Sequence, residues 1–369
     1  MIRILFFIEE LSGGGAEKVL CNLVNEMDQS RFEITVQTMW KADPKGLLRP
    51  GVRYRYCYAE RTRASVLRSR AEAALGLTGR LHIREDYDIL VAYLEFGATK
   101  VLSRTPRRGA KKVAWVHSDL EHKLSGKPDA IRKSAARYKA FDRIVCVSQT
   151  AGDSFVRLFG REKDVSVLYN TVDDQAVREK AGASLPGFPE KRRLTVAAVG
   201  RLSAEKQYDL LLRVHKRLLD EGTEHDLWIV GDGDRRSELE AFIAANGLTD
   251  SVTLCGFQPN PYPFMLAADL LVCSSRYEGF STFVTEGLIL GRPIVTTECS
   301  GMRELLGDSA FGLITENTEQ ALYAGVKRLL TDKALRDRFA AEAAVRGQSF
   351  SAKALTEKTE RFFIRMLEE

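Results

Sequence analysis

Short apolar runs alternate along this chain with longer stretches in which apolar residues recur every three or four positions. The first run, Ile2–Ile8, reads as a buried strand; Glu9–Gly15 is a glycine-rich loop, and Ala16–Met27 has helical spacing. Further strands are predicted at Glu33–Met39, Val52–Tyr58, Tyr87–Tyr93, Lys112–His117, Arg143–Val147 and Val165–Leu168. Helices are predicted between them at Arg63–Leu81, Gly97–Arg104, Pro128–Ala140 and Gln149–Phe159. Regular β–α alternation predicts an α/β fold with a parallel, doubly wound sheet. Gly and Pro between Gly182 and Arg193 break the pattern and mark a linker. A second series follows: strands at Leu194–Val199, Asp226–Val230, Ser251–Cys255, Asp269–Cys273, Pro293–Thr297 and Phe311–Ile314, again separated by helical stretches. The expected organisation is a first domain over 1–183, a linker over 184–193 and a second domain over 194–350. A C-terminal helix over 351–369 is expected to pack back toward the first domain.

Composition narrows the class. The chain has 369 residues, 44% apolar and 28% charged, enough for two cores and with no low-complexity tract. Ile4–Ile8, closed by Glu9 and Glu10, is too short for a signal-peptide core or a membrane span, so a cytoplasmic protein is expected. The six Cys are scattered without a C-x-x-C pair and read as reduced core residues, which argues against a zinc site. Charge is uneven. Residues 1–180 carry 32 Lys and Arg against 23 Asp and Glu, whereas the remainder carries 23 against 27. The two halves are therefore expected to face different things.

The candidate chemistry centres on Cys273–Pro293. A strand end, a loop holding Glu278, Gly279, Phe280 and Ser281, and a helix from Thr282 containing Glu286 follow one another there. A helix N-terminus after a buried strand suits a phosphate, and carboxylates suit sugar hydroxyls. The arrangement fits a nucleotide-sugar, with ribose on Glu286 and the sugar on Glu278. Two Glu at such spacing also arise by chance in a chain with 50 acidic residues, so the context has to carry the reading. Gly13-Gly14-Gly15 can bring backbone N–H groups against a phosphate or sugar, but it is not the spaced dinucleotide fingerprint, and a nicotinamide cofactor is disfavoured. His117 lies at a strand's carboxyl end, where ligands bind in such sheets; a structural histidine is the plainer alternative.

The ordered set is more specific than any one motif. Gly200-Arg201-Leu202 with Lys206, Gly231-Asp-Gly233, Glu278-Gly-Phe280 with Glu286, Gly291-Arg-Pro-Ile-Val295 and Gly301 with Glu304 follow one another. The first half adds the glycine loop with Glu17, His117, Val147-Ser148 and Asn170-Thr-Val-Asp173. This series resembles the retaining glycosyltransferases of family 4 over nearly the whole chain. The resemblance implies a GT-B fold, two Rossmann-like domains facing each other across a cleft. It implies that Arg201 and Lys206 clamp the donor diphosphate, Glu278 and His117 position the sugar, and Glu286 holds the ribose. It further implies donor contacts from Gly14, Gly15, Gly200, the backbone of Gly256 and Phe257, and Gly279 to Thr282. No metal or cofactor is expected, and no catalytic nucleophile is named. Thr171 and Ser281 depart from the family pattern near the presumed donor pocket, so the sugar stays open between a hexose and an N-acetylhexosamine.

The sequence also admits other readings. Asp232-Gly-Asp234 could be a metal-binding D-x-D pair, but helix-start carboxylates are the simpler expectation. A sugar phosphorylase or epimerase of the same architecture, and a non-catalytic subunit, are the alternatives to a transferase. The expected donor is a uridine diphosphate sugar and the expected acceptor a glycan or lipid-linked saccharide. The basic first half and the cationic, leucine-bearing stretch Ala64–Leu81 suggest an anionic membrane surface, with the enzyme peripheral on the inner face of the plasma membrane. Nucleic acid is not expected, because these cations lack interleaved aromatics.

Overall fold

The computed structural model describes residues 1–11, 14–184 and 189–369. Gly13 and four residues of the expected linker, 185–188, lie outside the described residues. In chain order the first elements are β1 (Ile2–Ile8), α1 (Gly15–Glu26), β2 (Phe32–Trp40), β3 (Arg53–Tyr58), α2 (Arg63–Leu75), α3 (Thr78–His82), β4 (Ile89–Ala92) and α4 (Gly97–Arg104). They continue with β5 (Lys111–Val116), α5 (Leu120–Leu124), α6 (Pro128–Tyr138), β6 (Arg143–Cys146), α7 (Gln149–Phe159), β7 (Val165–Val167) and α8 (Asp174–Ala181). The second series is β8 (Thr195–Val199), α9 (Tyr208–Asp220), β9 (Asp226–Val230), α10 (Arg236–Ala245), β10 (Val252–Gly256), α11 (Tyr262–Ala267), β11 (Leu270–Cys273), α12 (Thr282–Ile289) and β12 (Ile294–Thr297). It ends with α13 (Met302–Leu306), β13 (Leu313–Thr315), α14 (Glu319–Thr331), α15 (Lys333–Gly347) and α16 (Ala352–Glu368).

Two compact units result, one of residues 1–171 with 352–369, the other of 172–351. The first unit holds a seven-stranded parallel sheet in the order β3-β2-β1-β4-β5-β6-β7. Its interior strands are covered on both faces, which is why they read as apolar runs, whereas the edge strand β3 is largely exposed. One face meets α4, α5 and α7 through Leu90, Ala114, Val116, Phe155 and their neighbours. On α16, which packs against α1, Phe363 is fully buried, its ring 6.0 Å from that of Phe6 and 6.4 Å from that of Trp115. Burying such a ring stabilises the unit by roughly 1.5–3 kcal/mol. Lys112 is buried in β5 and donates from Nζ to the Leu102 and Thr105 carbonyls at 2.7 and 2.6 Å, satisfying the end of α4.

The second unit holds a six-stranded parallel sheet in the order β10-β9-β8-β11-β12-β13. Its core gathers the apolar stripe of α9 (Leu211, Val214, Leu218) with β8, β9 and α14. A chain of buried polar groups runs beside it. His225 donates Nδ1–H to the Thr223 carbonyl at 2.9 Å, so its Nε2 accepts from His215 Nδ1–H at 2.8 Å. His215 Nε2 then accepts from the Ser251 hydroxyl at 2.9 Å. Burial keeps both imidazoles neutral, which sets these donor and acceptor roles: it lowers His215 to about 3, with His225 adding to the effect, and it also lowers His225.

Two expectations need correction. The predicted helix Arg63–Leu81 is two helices, because Gly76 takes the left-handed conformation (φ 72°) and ends α2 at Leu75. The first unit ends at Thr171 rather than 183: α8, capped by Asp173 accepting from Ala176 N at 2.9 Å, packs on α11 and α12 of the second unit. All six cysteines are free thiols. No helix among the described residues is long and apolar enough to cross a membrane.

Candidate functional site

In the second unit, β8 has β9 on one side and β11 on the other, so successive strands run outward in opposite directions from this point. The loops after β8 and β11 diverge there and leave a crevice at the strands' carboxyl ends. Gly200 to Lys206 leave β8; Ser274 to Ser281 leave β11. Backbone hydrogen bonds lace the first loop to its neighbours: Gly200 N to Val230 O (2.9 Å), Leu202 N to Asp232 O (3.0 Å) and Arg235 N to Leu202 O (3.0 Å). The loops touch so closely that a Cβ on Gly231 would lie 1.9 Å from the Gly200 carbonyl oxygen. Gly301, at φ 81°, similarly lies against Gly279, where a Cβ would come within 2.9 Å of its oxygen.

A short 3₁₀ turn, Ala204–Lys206, precedes α9, and Gln207 at φ 48° joins the two. The turn aims Lys206 back across the crevice, where Nζ donates to Glu278 Oε1 at 2.6 Å. Ser275 Oγ donates to the same oxygen at 2.7 Å, and Ser274 Oγ to the Lys206 carbonyl at 2.7 Å. The pair is mostly shielded, with side chains 22% and 14% exposed. Burial alone would lower the Lys206 ammonium, but Glu278 beside it wins and holds it well above its ordinary value. Lys206 is thus a fixed cation. Glu278 Oε2 has no partner among the described residues, and neither does the Arg201 guanidinium, which is exposed.

The helix α12 begins beside this pair. Ser281 caps it, its Oγ accepting from Val284 N at 3.4 Å. Thr282 and Gly279 are half-buried, and Phe280 is buried against Phe350 at 6.1 Å. One turn further, Glu286 is buried and accepts from the Tyr262 hydroxyl at 3.0 Å. Gly256 ends β10 at φ 69°, leaving Phe257 with 70% of its surface exposed. The second unit therefore brings Gly200, Arg201, Lys206, Glu278 to Thr282 and Glu286 onto the loops and helix around one strand crevice, while Gly256 and Phe257 lie at the end of β10, separated from β8 by β9. Asp232 and Asp234 do not start α10 as expected. The helix begins at Arg236, and Asp232 Oδ1 accepts from Gly233 N at 2.8 Å instead. Among the described residues no group of three or more His, Cys, Asp or Glu is placed to hold a metal ion.

In the first unit the equivalent reversal falls between β1 and β4. Gly14 caps α1 and donates its N–H to Glu17 Oε2 at 3.0 Å. A Cβ on Gly15 would meet nothing within 4 Å, so packing does not explain the residue. His117 follows β5, its ring 4.7 Å from Tyr93 and stacked on Trp115 at 6.5 Å. Its Nε2 is buried without a hydrogen-bond partner among the described residues, as are the Tyr93 hydroxyl and Trp115 Nε1. Burial lowers the imidazole to about 4, with Glu95 opposing and Lys123 assisting, so the ring is neutral at physiological pH. Glu95 Oε2 accepts from His117 N at 3.1 Å, while Oε1 accepts from Lys123 Nζ at 3.3 Å. Burial would raise the Glu95 carboxyl, but Lys123 and then His117 hold it below the usual range. Phe96, next in line, has φ 66°, a conformation costly for a bulky side chain and stored here at the strand end.

Sequence reasoning missed Glu95, Lys123, Ser275 and Tyr262. The position of Glu95 just past an apolar strand was a usable signal; Tyr262 had none, since it reaches Glu286 from a different helix.

The chain is similar to known proteins over most of its length. The family described as "Glycosyl transferases group 1" matches residues 186–346, and "Glycosyltransferase Family 4" matches 13–176. A relative from Campylobacter jejuni, N-acetylgalactosamine-N,N'-diacetylbacillosaminyl-diphospho-undecaprenol 4-alpha-N-acetylgalactosaminyltransferase, is 35% identical over 190 residues, 51% of this chain. The chain spans only about half of that relative's length, 50%. The lipopolysaccharide core biosynthesis glycosyltransferase LpsD of Rhizobium meliloti is 26% identical over 93% of both chains. Among solved structures, Anabaena HepE in complex with UDP and glucose superposes with a TM-score of 0.79 at 19% identity, covering 99% of this chain and 100% of that one.

Proposed function

We propose that this chain, a glycosyltransferase that belongs to family 4 and has the GT-B fold, moves a hexose or N-acetylhexosamine from a uridine diphosphate sugar to a lipid-linked saccharide or related glycan precursor. The observation that carries this reading is the Lys206–Glu278 pair beside the capped start of α12, with Arg201 unpartnered on the same loop. Two cations and a helix N-terminus suit a diphosphate, and they stabilise the charge that builds as the nucleotide leaves. Glu278 Oε2 is free to take a sugar hydroxyl. Buried Glu286, oriented by Tyr262, takes the ribose hydroxyls, and the backbone at Gly256–Phe257 meets the base. In the first unit, neutral His117 holds a sugar hydroxyl through Nε2, and the Gly14–Gly15 backbone meets a phosphate or the acceptor.

In this scheme the bond between the anomeric carbon and the diphosphate breaks, and the acceptor oxygen bonds to that carbon on the same face. The acceptor's proton passes to the leaving phosphate, so configuration is retained without a protein nucleophile. Lys206 and Arg201 take the role that a metal plays elsewhere, and the reaction is metal-independent. The lipid-linked substrate in the name of the Campylobacter relative and the UDP in the HepE complex support the acceptor and donor. The basic first half, with Leu67 and Leu75 of α2 each 72% exposed, supports a peripheral place on the inner face of the membrane.

The test is product analysis with UDP-hexoses and UDP-N-acetylhexosamines and a lipid-linked oligosaccharide fraction, in chelator. UDP release that depends on acceptor, with an anomer matching the donor's, is expected. Turnover with inorganic phosphate alone would make the enzyme a phosphorylase.

A further inference from the structure

The first unit carries a second cationic hollow that the transfer reaction does not use. It has a volume of about 460 Å³ and lies where α16 passes β6 and β7. Arg143, at the start of β6, Lys163, in the 3₁₀ turn Glu162–Asp164 that leads into β7, and Ser166 and Leu168 place it along the edge strand β7. Gly14, Gly15 and His117 instead follow β1 and β5, interior strands of the same sheet. From α16 come Lys358, Arg361 and Arg365, spaced three and four residues apart and so on one helix stripe. The half-buried Phe362 ring gives the hollow an apolar wall.

Five cations from three elements thus line one space against a single carboxylate, Glu369. Glu369 is already engaged by Arg143, and Glu357 stands 3.6 Å from Arg361. Asp164, next to Lys163, is taken by Arg161 at 2.7 Å. Lys163, Lys358 and Arg365 are exposed and have no ion-pair partner among the described residues. Lys358, Arg361 and Arg365 repel one another along one helix stripe, and no ion pair among the described residues compensates Lys163, Lys358 or Arg365. Exposed, converging, uncompensated cations beside an aromatic wall are what a phosphate ester with an apolar portion requires.

We propose that this hollow is a phosphate-binding site, separate from the nucleotide site of the other unit and independent of glycosyl transfer. The phosphate belongs either to an anionic lipid headgroup or to a soluble phosphate ester. The test uses the full chain, a triple variant (Lys163→Ala, Lys358→Ala, Arg365→Ala) and a control of equal charge loss on α2 and α3 (Arg63→Ala, Arg70→Ala, Arg80→Ala). Binding is measured to glycerol 3-phosphate and to phosphatidylglycerol vesicles, with phosphatidylcholine vesicles as the neutral reference. Loss of saturable glycerol 3-phosphate binding in the triple variant alone supports a soluble ester. A fall of about a hundredfold in partitioning to anionic vesicles, larger than the control's, supports a headgroup, as expected for three cations near a charged surface. Thermal stabilisation by UDP should be the same in all three proteins. If the triple variant binds both probes as the parent does, or loses no more than the control, the proposal fails, and the membrane reading would then rest on α2 alone.

Discussion

Lys206 and Arg201 offer the same charge to a diphosphate, but the fold treats them differently, and this separates their mutational effects. Lys206 is locked to Glu278 at 2.6 Å in a mostly shielded place, whereas Arg201 is exposed and unpartnered. Lys206→Ala leaves Glu278 shielded with only Ser275 to hold it. Breaking a buried pair costs about 3–5 kcal/mol; partial exposure brings the expectation here to about 2–3 kcal/mol. For a unit of this size that is a fall in melting temperature of roughly 5–10 °C. Arg201→Ala removes no contact and should leave melting within about 1 °C, since surface changes of this kind cost little. Both variants should lower kcat by about two to three orders of magnitude, the usual effect of removing one charged contact from a developing negative charge. Scanning calorimetry and turnover on the same preparations give both readouts. Equal loss of melting temperature in the two variants would refute the structural distinction. Turnover within twofold of the parent after Lys206→Ala would refute the phosphate clamp itself.

Gly15→Ala places a methyl where nothing lies within 4 Å, so melting should be unchanged while turnover falls at least tenfold if the open space belongs to a ligand; normal turnover would return Gly15 to an ordinary helix start. Tyr262→Phe removes a hydroxyl that orients Glu286 and should weaken UDP binding by no more than about 1.5 kcal/mol, since the lost bond lies within the protein, with kcat nearly unchanged; calorimetric titration reads this directly. Acid should destabilise both units: His215 titrates at about 3 and His117 at about 4 when folded, both below the ordinary 6.5. Their stabilisation is present above pH 6.5 and is lost as pH falls, because the unfolded chain binds protons that the native one refuses. Each contributes a slope of up to about 1.4 kcal/mol per pH unit between pH 6.5 and its folded value. His215→Gln should flatten the second unit's melting profile in that window, and an unchanged slope would contradict the neutral histidine chain.

Most strands, though not their order in the sheet, were readable because burial on both faces writes them as continuous apolar runs, as in Ile2–Ile8 and Leu270–Cys273. The break at Gly76 was not, since apolar residues continue through Leu77 and Leu81 and only the left-handed backbone ends the helix. Nor was the unit boundary: Asn170 to Asp173 looks like any loop, and what assigns α8 to the second unit is its packing on α11. At the site, the residues on the β8 and β11 loops were recognisable as an ordered set, but the bond from Lys206 to Glu278 joins positions far apart in sequence. Gly231 shows why a glycine's reason can be invisible locally, because what forbids its side chain is the Gly200 carbonyl on another loop. Glu95 and Tyr262 escaped notice for the same cause: their partners, His117 and Glu286, come from other elements.

In the proposed reaction the crevice of the second unit takes a uridine diphosphate sugar through Arg201, Lys206, Glu278 and Glu286 without a metal. A thermal-shift panel of UDP, GDP, ADP and their sugars, run in chelator, tests it most directly. Stabilisation by UDP and UDP-sugars that Glu286→Ala abolishes is the expected result. Stabilisation by GDP and not UDP, or a response that appears only on adding Mn²⁺ or Mg²⁺, would contradict it.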